Sequence, residues 1–361
     1  MNVGSTKELS PEKRISITPD TSKGFKNLGL NVLIEKGYGE SLGYSDKDYK
    51  DHGAEILNNS DEVLSKSNLI CKVNFPTEKE FSLIKDNSHL IVSNYNPEKD
   101  KKFVNNKIKI FALNLLPRIT RAQSMDVLSS QANLAGYRSV IESIYEYQKA
   151  VPMMMTAAGT VPAAKVLVVG AGVAGLQAIA TAKRLGAIVS ATDVRLTAKE
   201  QVESLGGKFL IVEGSEDLET KGGYAKEASE DFKKKQAEML ENAAAKSDII
   251  ICTALIPGRP APRIITEKMI DNMKSGSVIF DLAVTQGGNS AYSETDKIIE
   301  KKGVKIIGIS NVMNKLPLTA SNLYAKNIFS FVRNLYNKEK KEFVIKLEDE
   351  IIKSTLLKEG N

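Results

Sequence analysis

The stretch Lys165–Arg195, which reads KVLVVGAGVAGLQAIATAKRLGAIVSATDVR, decides the fold. The apolar, mostly β-branched run Val166–Val169 is long enough for one buried parallel strand. It leads directly into a glycine-rich turn, and the Ala-rich segment Leu176–Leu185 predicts a helix that Gly186 ends. A second strand is predicted over Ile188–Thr192. Together these segments predict a unit of two parallel strands joined by a helix.

The glycines of this turn have the spacing of a phosphate-binding fingerprint. Gly170 permits the tight turn, Gly172 lets the backbone approach a pyrophosphate, and Gly175 lets the helix pack close to the sheet. The N-terminus of the predicted helix offers the phosphates unpaired N–H groups and the positive end of the helix dipole. Asp193 ends the second strand, where its carboxylate can accept from ribose hydroxyls and would repel a 2′-phosphate. We therefore predict a site that prefers NAD(H) to NADP(H), over the alternative of a glycine-rich turn in an ordinary α/β fold.

Length and composition indicate two domains with full hydrophobic cores. The chain has 361 residues, of which 42% are apolar. Its formal net charge is +6, but Lys and Glu are interleaved along most of the chain, and no segment combines clustered Arg with aromatic residues. We interpret the charge as a solvated surface and expect no nucleic-acid partner.

Several other features are not expected. The first residues, MNVGSTKELSPEK, lack the apolar core of a signal peptide, and no apolar run approaches the length of a membrane span, so we expect no direct membrane insertion. The two histidines and two cysteines are well separated, which argues against a His/Cys metal site. Cys71 and Cys252 lie in separate apolar runs and predict two buried free thiols in a reducing compartment.

Outside the fingerprint, strands alternate with helices, which predicts parallel sheets with helices on both faces. The first half lacks a phosphate-binding glycine motif; its predicted strands are Asn2–Ser5, Asn31–Glu35, Leu69–Val73, Leu90–Val92 and Ile108–Ala112. We predict an α/β fold of two doubly wound, Rossmann-like domains joined by a long connector helix over Val127–Tyr147. The first domain comprises residues 1–127 and 310–361, and the NAD(H)-binding domain comprises residues 128–309.

The remainder of the chain carries four further structural predictions. Val304–Gly308 closes the second sheet, and a helix over Leu323–Tyr336 returns to the first domain. The segments Phe343–Leu347 and Ile351–Thr355 are predicted to form a hairpin tail. The consecutive methionines Met153–Met155 are interpreted as adaptable packing under the second domain.

A second chemical feature is the polar loop from Arg118 to Ser129, which also holds Arg121, Gln123 and Asp126 and leads into the connector helix. The spacing of Asp126 and Ser129 allows both to lie on one helix face. At a domain cleft, such a loop could hold a nicotinamide ribose and carboxamide. A helix cap with solvated arginines is an equally good interpretation of the same residues.

A third feature is the sequence Gly222-Gly223-Tyr224 in a long polar segment. Two glycines beside one aromatic residue are typical of a hinged lid over a ligand. An exposed loop with an incidental tyrosine is the simpler interpretation of this segment when it is taken alone.

Four motifs give the chain a family resemblance: PRITRAQSMDVLSSQANLAGYRS, MMMTAAGTVPAAKVLVVGAGVAGLQAIATAKRLGA, GGYAKE and TALIPGRPAP. They resemble the NAD(H)-binding component of the proton-translocating NAD(P) transhydrogenases, and the match covers essentially the whole chain. In this family, hydride transfer between NADH and NADP⁺ is coupled to proton movement across a membrane. The chain ends after this component, so it resembles a separate first portion of the alpha subunit, with the membrane portions on other polypeptides.

The resemblance implies site residues when it is carried over motif by motif. The implied cofactor-binding residues are Arg118, Ile119, Thr120, Gln123, Asp126, Ser129, Gly170, Gly172, Val173, Gly175, Asp193, Val194, Arg195, Gly223, Tyr224, Gln236 and Leu255. Of these, Arg118, Gln123 and Asp126 are implied to act in catalysis on the nicotinamide side. Gly223 and Tyr224 match a mobile loop that closes over NAD(H) in the family. No metal is implied.

The resemblance also implies partners and a location. We expect a homodimer, a partner component that holds NADP(H), and membrane-embedded transhydrogenase subunits. The chain would then be cytoplasmic and peripheral on the inner, energy-coupling membrane through those partner subunits.

Two other functional classes are compatible with the fingerprint. Alanine dehydrogenase shares the two-domain fold, but its catalytic Lys and His follow strands of the first domain, where this chain has Asn74 and Asn94. An amide cannot act as a general acid or base near neutral pH, so that chemistry is not supported. A non-catalytic NAD sensor would keep the fingerprint but has no need for the loop from Arg118 to Ser129.

Overall fold

A computed structural model of the chain describes residues 1–104, 107–211, 230–256 and 259–358. The chain forms two compact units, unit 1 (Met1–Gln131 with Met313–Asn361) and unit 2 (Ala132–Val312). Each contains a doubly wound sheet, which is fully parallel in unit 1 and parallel except for one edge strand in unit 2, so the predicted α/β fold class is confirmed.

The sheet of unit 1 has six parallel strands in the order β3-β2-β1-β4-β5-β6. These strands are β1 (Asn2–Ser5), β2 (Asn31–Glu35), β3 (Ala54–Leu57), β4 (Leu69–Cys71), β5 (His89–Val92) and β6 (Lys109–Ala112). Five of them lie where the sequence predicted strands. The edge strand β3 was not predicted, because its short sequence AEIL has neither a β-branched run nor a strict alternation of apolar and polar residues.

Short helices connect these strands, namely α1 (Pro19–Asn27), α2 (Asp46–Asp51), α3 (Ser60–Lys66), α4 (Glu78–Ser82) and α5 (Pro97–Asp100). Hydroxyl side chains decide where three of them begin. Thr18, Ser45 and Thr77 each form a capping box with the residue three positions later, at the starts of α1, α2 and α4. Such a cap satisfies N–H groups that have no partner within the helix and stabilises it by about 1 kcal/mol.

Helix α6 (Val127–Tyr147) has the bounds that the sequence predicted for the connector, and the chain passes from unit 1 to unit 2 within it. Its first residues belong to unit 1. There Gln131 donates from Nε2 to the carbonyl of Ala320, at 3.2 Å.

Unit 2 holds a seven-stranded sheet in the order β11-β10-β9-β12-β13-β15-β14, preceded by a separate hairpin of β7 and β8. The strands are β7 (Met154–Thr156), β8 (Gly159–Val161), β9 (Lys165–Val169), β10 (Ile188–Thr192), β11 (Lys208–Phe209), β12 (Ile249–Cys252), β13 (Val278–Asp281), β14 (Lys297–Lys301) and β15 (Val304–Gly308). The helices are α7 (Val173–Arg184), α8 (Ala198–Ser204), α9 (Glu230–Lys246) and α10 (Glu267–Asp271).

Two predictions about unit 2 are wrong. Val304–Gly308 is a strand but not the edge of the sheet, because β14 pairs with it in antiparallel direction and lies outermost. Met153–Met155 do not pack under the domain: Met155 is 81% exposed and Met153 62% exposed, in and beside β7. Consecutive residues of a hairpin alternate between faces, so an apolar run in an isolated two-stranded sheet cannot be buried on both sides.

The chain then returns to unit 1 with α11 (Pro317–Leu335), β16 (Tyr336–Asn337), β17 (Glu342–Phe343) and α12 (Glu350–Thr355). The predicted return is confirmed: Tyr324, Ile328 and Phe331 of α11 are fully buried in the core of unit 1. The predicted hairpin tail is wrong. Phe343 pairs back onto Tyr336, and 351–355 is helical because the Asp349 carboxylate caps α12 by accepting from the Ile351 N–H.

Neither cysteine is exposed for chemistry. Cys71 and Cys252 are free and fully buried, as predicted, and burial raises the pKa of both thiols. Within the residues that the structure describes, no helix is both long and apolar enough to cross a membrane.

Candidate functional site

The glycine turn after β9 is shaped by contacts that exclude side chains. Gly170 has a φ of +96°, in the region that favours glycine. At Gly175 an added Cβ would lie 1.9 Å from the carbonyl oxygen of Gly170, so the helix approaches the turn more closely than any side chain allows. At Gly172, by contrast, an added Cβ would meet no atom within 4 Å. Space is therefore open at the glycine where a pyrophosphate would approach, in front of the N-terminus of α7.

Asp193 follows β10 and is connected to this turn. Its Oδ2 accepts from the Ala171 N–H at 2.7 Å and from Arg195 Nη2 at 2.9 Å. Its Oδ1 accepts from the backbone N–H and from Nε of Arg195, both at 2.9 Å. Burial alone would raise the pKa of the Asp193 carboxyl, but the hydrogen bonds from the Arg195 side chain and the two backbone N–H groups outweigh burial and lower that pKa.

The loop after β12 forms the other side of the turn. Strands β9 and β12 are adjacent, and the order in which the chain adds strands to the sheet reverses between them. In open parallel sheets, ligands bind at the carboxyl ends of the two strands that flank such a reversal. Thr253 donates from Oγ1 to the carbonyl of Gly170 at 2.9 Å. An added Cβ at Gly170 would lie 3.1 Å from the Ala254 nitrogen, so this loop is in direct contact with the fingerprint.

The polar loop from Arg118 to Ser129 lies in unit 1 and is ordered by three sets of contacts. Asp126 caps α6: its Oδ1 accepts from the Ser129 N–H at 2.9 Å, and its Oδ2 accepts from the Ser129 hydroxyl. Arg121 forms a two-pronged ion pair with Asp349. Asn327, from α11, donates to the carbonyl of Ser124 at 2.9 Å.

This geometry decides several points in the interpretation of that loop. Asp126 and Ser129 are brought together, and the helix cap is real. Arg121 is exposed to solvent, as the cap interpretation expects, and its guanidinium is also paired with Asp349. Arg118 and Gln123 are exposed at the surface of unit 1, where they can face a ligand. Thr120 is also exposed, and Ile119 is half-buried and packs against the core.

The remaining predicted residues fall in three groups. Val173 is the first residue of α7 and is exposed, and Val194 follows Asp193 and is half-buried. Gln236 lies half-buried in α9, and Leu255 is 43% exposed in the loop after β12. Gly223 and Tyr224 lie outside the described residues, so the lid stays a prediction.

Three residues that support these loops within their own units were not predicted. Thr253 supports Gly170, Asn327 anchors the polar loop of unit 1, and Asn289 is fully buried behind the loop after β12. A signal was present for two of them. Asn327 interrupts the apolar face of α11, and Asn289 follows Gly287 and Gly288 after a strand.

The carboxyl ends of β4 and β5 hold amides. Asn94 donates from Nδ2 to Oδ1 of Asn74, at 3.3 Å. The nearby Lys72 is buried and donates to Glu80 Oε1 at 2.9 Å and to Thr6 Oγ1 at 3.1 Å. Its ammonium is therefore committed to protein partners. Among the described residues, no group of His, Cys, Asp and Glu could hold a metal ion.

Comparison with known proteins identifies the family. The description "Alanine dehydrogenase/PNT, C-terminal domain" matches residues 139–361, and "Alanine dehydrogenase/PNT, N-terminal domain" matches residues 4–135. The chain belongs to the alanine dehydrogenase/PNT family. The C-terminal family match thus includes α11 and α12, which fold with unit 1.

Within this family, the chain is similar to transhydrogenase subunits over nearly its whole length. The first portion of the NAD(P) transhydrogenase alpha subunit from Rhodospirillum rubrum is 50% identical, over 98% of this chain and 95% of its own. The corresponding protein of Rickettsia prowazekii is 44% identical, over 99% and 94% respectively. The crystal structure of a transhydrogenase from Sinorhizobium meliloti is 46% identical, with a TM-score of 0.90 over 100% of this chain and 99% of that one.

Alanine dehydrogenases are more distant members. Those of Staphylococcus haemolyticus and Methanococcus maripaludis are 30% and 27% identical to this chain. The resemblance to the transhydrogenase group that the four motifs predicted is therefore confirmed.

Proposed function

We propose that this chain is the NAD(H)-binding subunit of a proton-translocating NAD(P) transhydrogenase. NAD(H) supplies the hydride chemistry when bound, and the acceptor or donor, NADP(H), is held by a partner component. Membrane-embedded subunits couple the transfer to proton movement. The relatives' names describe one portion of an alpha subunit, which supports membership of a multi-subunit complex.

The residues around the glycine turn fit the adenosine and pyrophosphate of NAD(H). Gly172 leaves open the space that a pyrophosphate needs, and the N-terminus of α7 presents its positive dipole end there. Asp193 is ionised at neutral pH and lies at the end of β10, where ribose hydroxyls bind in such folds. In unit 1, Arg118, Gln123 and Asp126 orient the nicotinamide half, with Ile119, Thr120 and Ser129 as further contacts.

Arg195 adds a condition to nucleotide binding. A carboxylate has about four acceptor positions. In Asp193 the Ala171 N–H and three N–H groups of Arg195 use them. We therefore expect the Arg195 side chain to release Asp193 when ribose hydroxyls bind. The charge of Arg195 also offsets some of the repulsion that Asp193 exerts on a 2′-phosphate.

The pairing of Asn74 with Asn94 is the observation that carries the choice between the two enzyme classes. Hydride transfer between two nicotinamides moves no proton to or from oxygen, so it needs no general acid or base. It needs the two reacting carbons held in contact in a water-excluded site. Oxidation of an amino acid does need such groups, and two hydrogen-bonded amides cannot supply them.

We propose a homodimer that forms through the hairpin of β7 and β8. Residues 150–164, AVPMMMTAAGTVPAA, contain no charged side chain, although 26% of the chain is charged. Apolar exposure continues from the hairpin to Leu185 and Ile188, since Pro152 lies against Gly186 between them. In a two-fold dimer the same surface meets itself, and a charge-free surface avoids like-charge repulsion.

Light scattering tests this interface. We expect a dimer for the natural chain and a monomer for Met153→Lys with Met155→Lys, because two copies would bring four ammonium groups together. Ile298→Lys, on the exposed edge strand β14, is the matched control and should remain dimeric. A monomeric natural chain at micromolar concentration contradicts the proposal.

A mixing assay tests the function. The purified chain should bind NADH but oxidise none with pyruvate plus ammonia or with an NADP⁺ analogue. Addition of the NADP(H)-binding component should start hydride transfer. Gln123→Asn should slow the transfer more than it weakens NADH binding, because Gln123 lies on the nicotinamide side. Alanine-dependent NAD⁺ reduction by the isolated chain would overturn the assignment.

Proton NMR of Tyr224 with and without NADH tests the predicted lid. We expect Tyr224 to become ordered when NADH binds, and signals that stay sharp and mobile at saturating NADH would contradict the lid.

A further inference from the structure

The stretch Gln286–Asn289, QGGN, follows β13 and has no role in the function proposed above. Its backbone is unusual: Gly287 has a φ of +99° and Gly288 a φ of +80°. At Gly288 an added Cβ would lie 3.0 Å from Oδ2 of the buried Asp281. Two successive glycines therefore let the chain turn tightly, so that the next side chain points into the protein.

That next side chain, Asn289, is fully buried and bridges both ends of the loop after β12. Its Oδ1 accepts from the Ala254 N–H at 3.0 Å, and its Nδ2 donates to the Ala254 carbonyl at 2.8 Å. The same Nδ2 donates to the carbonyl of Pro262, at 2.9 Å. The side-chain amide thus bonds Ala254 as a neighbouring strand would in a sheet. Because the same amide also bonds Pro262, it joins the two ends of the loop.

The backbone of the same stretch holds the segment that follows the loop. The carbonyl of Asn289 accepts from the N–H groups of Ile264 and Ile265, at 2.7 and 2.9 Å. The carbonyl of Gln286 accepts from the Ala261 N–H at 2.7 Å. Asp281 in turn fixes this stretch to the sheet, because its Oδ2 accepts from the Ser290 N–H at 2.9 Å.

Ala254 connects this anchor to the nucleotide site. Its nitrogen lies beside Gly170 in the fingerprint turn, and its neighbour Thr253 donates to the Gly170 carbonyl. The next residue, Leu255, is exposed and is a proposed nucleotide contact. A displacement of Ala254 would therefore disturb the packing against Gly170 and would also move Leu255.

We propose that Asn289 is a positioning residue for NAD(H), which acts by fixing Ala254 and Leu255 in the binding geometry before the cofactor arrives. The inference rests on the proposed function, since it assumes that NAD(H) binds at the fingerprint. A buried amide with all its bonds made is rigid, and preorganisation of a binding loop lowers the cost of ordering it on binding.

The test compares Asn289→Ala, which removes all three side-chain hydrogen bonds, with Asn289→Asp, which keeps only the acceptor for the Ala254 N–H. For both variants, we expect the Kd for NADH to rise at least tenfold. In the complex reconstituted with the NADP(H)-binding component, KM for NADH should rise similarly, while kcat at saturating NADH stays within about twofold. Asn242→Asp, on the exposed side of α9, is the control and should change neither the Kd nor the KM for NADH.

A second control separates positioning from general loss of stability. Val278→Ala removes buried side-chain volume at the far end of β13 without touching the loop, and it should lower the unfolding temperature while leaving the Kd unchanged. If it weakens NADH binding as much as Asn289→Ala does, Asn289 has only a structural role and the inference is wrong.

Hydrogen exchange of the Ala254 amide tests the anchor directly, even where a variant fails to fold. In the natural chain without NADH, we expect this amide to be strongly protected. Fast exchange that slows only when NADH is added would show that the loop is ordered by the cofactor and would overturn the inference. If the natural chain binds no NADH, the proposed function fails, and the protected amide reports on the anchor separately.

Discussion

The three glycines of the fingerprint should respond differently to alanine, and the difference tests how the site is built. At Gly175 the new Cβ would lie 1.9 Å from the Gly170 carbonyl oxygen, whereas ordinary carbon–oxygen contacts are about 3.3 Å or longer. Helix α7 or the turn would have to move by roughly 1.4 Å to accept it. At Gly172 the new Cβ would touch no protein atom within 4 Å, and its φ of −76° is accessible to alanine.

The two substitutions therefore separate stability from binding. Gly175→Ala overfills a packed contact, which costs about 1–3 kcal/mol. For a domain of 150–250 residues this corresponds to a fall of about 2–12 °C in unfolding temperature. Gly172→Ala should change stability by less than about 1 kcal/mol, because the loss of a good cap residue is offset by a less flexible unfolded chain. It should weaken NADH binding at least tenfold, since the methyl group occupies the space for the pyrophosphate.

Scanning calorimetry gives the unfolding temperatures and titration calorimetry gives the Kd for NADH. Gly43→Ala, an exposed turn glycine of unit 1 with a φ of +82°, controls for a glycine substitution remote from the fingerprint: it should reduce stability without affecting the Kd. Unchanged NADH affinity in Gly172→Ala would refute the pyrophosphate role of this turn. An unchanged unfolding temperature in Gly175→Ala would refute the close contact between helix and turn.

Three further outcomes are expected. Burial lowers the pKa of His89, so the folded state binds fewer protons than the unfolded state. The free energy of unfolding should therefore decrease by up to about 1.4 kcal/mol per pH unit as the pH falls below ~6.5. Urea titrations at a series of pH values should show that His89→Phe lacks this contribution to the pH dependence. Asp193→Asn removes the negative charge that opposes a 2′-phosphate, and the ratio of the NADPH and NADH dissociation constants should fall at least tenfold in titration calorimetry; an unchanged ratio contradicts the assigned selectivity. Lys72→Met leaves the Glu80 carboxylate without its buried partner and should cost about 3–5 kcal/mol in urea unfolding, whereas Lys66→Met, in an exposed pair, should cost less than about 1 kcal/mol.

The amino-acid sequence by itself determined the βαβ unit around the fingerprint and most of the parallel strands. These elements are specified locally: β9 is a β-branched run, Gly170 and Gly175 tolerate contacts that no side chain could, and Gly186 ends the helix with a φ of +86°. The family motifs have the same local character, because a nucleotide turn needs particular residues at fixed spacing. The cofactor class could therefore be inferred from one stretch.

Elements that depend on distant partners could not be predicted in this way. The segment 351–355 is apolar enough for a strand, but Asp349 caps it as a helix while also pairing with Arg121, which is far away in the sequence. The exposed β7–β8 hairpin contradicts the usual burial of methionine, because its environment is set by what the fold leaves uncovered.

The same distinction holds for the site. Asp193, at the end of its strand, could be predicted as a ribose acceptor, but only the folded chain shows that Arg195 and Ala171 already occupy its carboxylate. The two glycines before Asn289 mark a turn, but the neighbouring sequence does not reveal the partners of Asn289. Those partners, Ala254 and Pro262, lie in the loop after β12, whereas Asn289 follows β13. The sequence alone determined which local segments can bind a dinucleotide, because backbone conformation and spacing are encoded there. Only the tertiary structure decided which buried polar groups hold them in place, because hydrogen-bond partners are chosen by proximity in space.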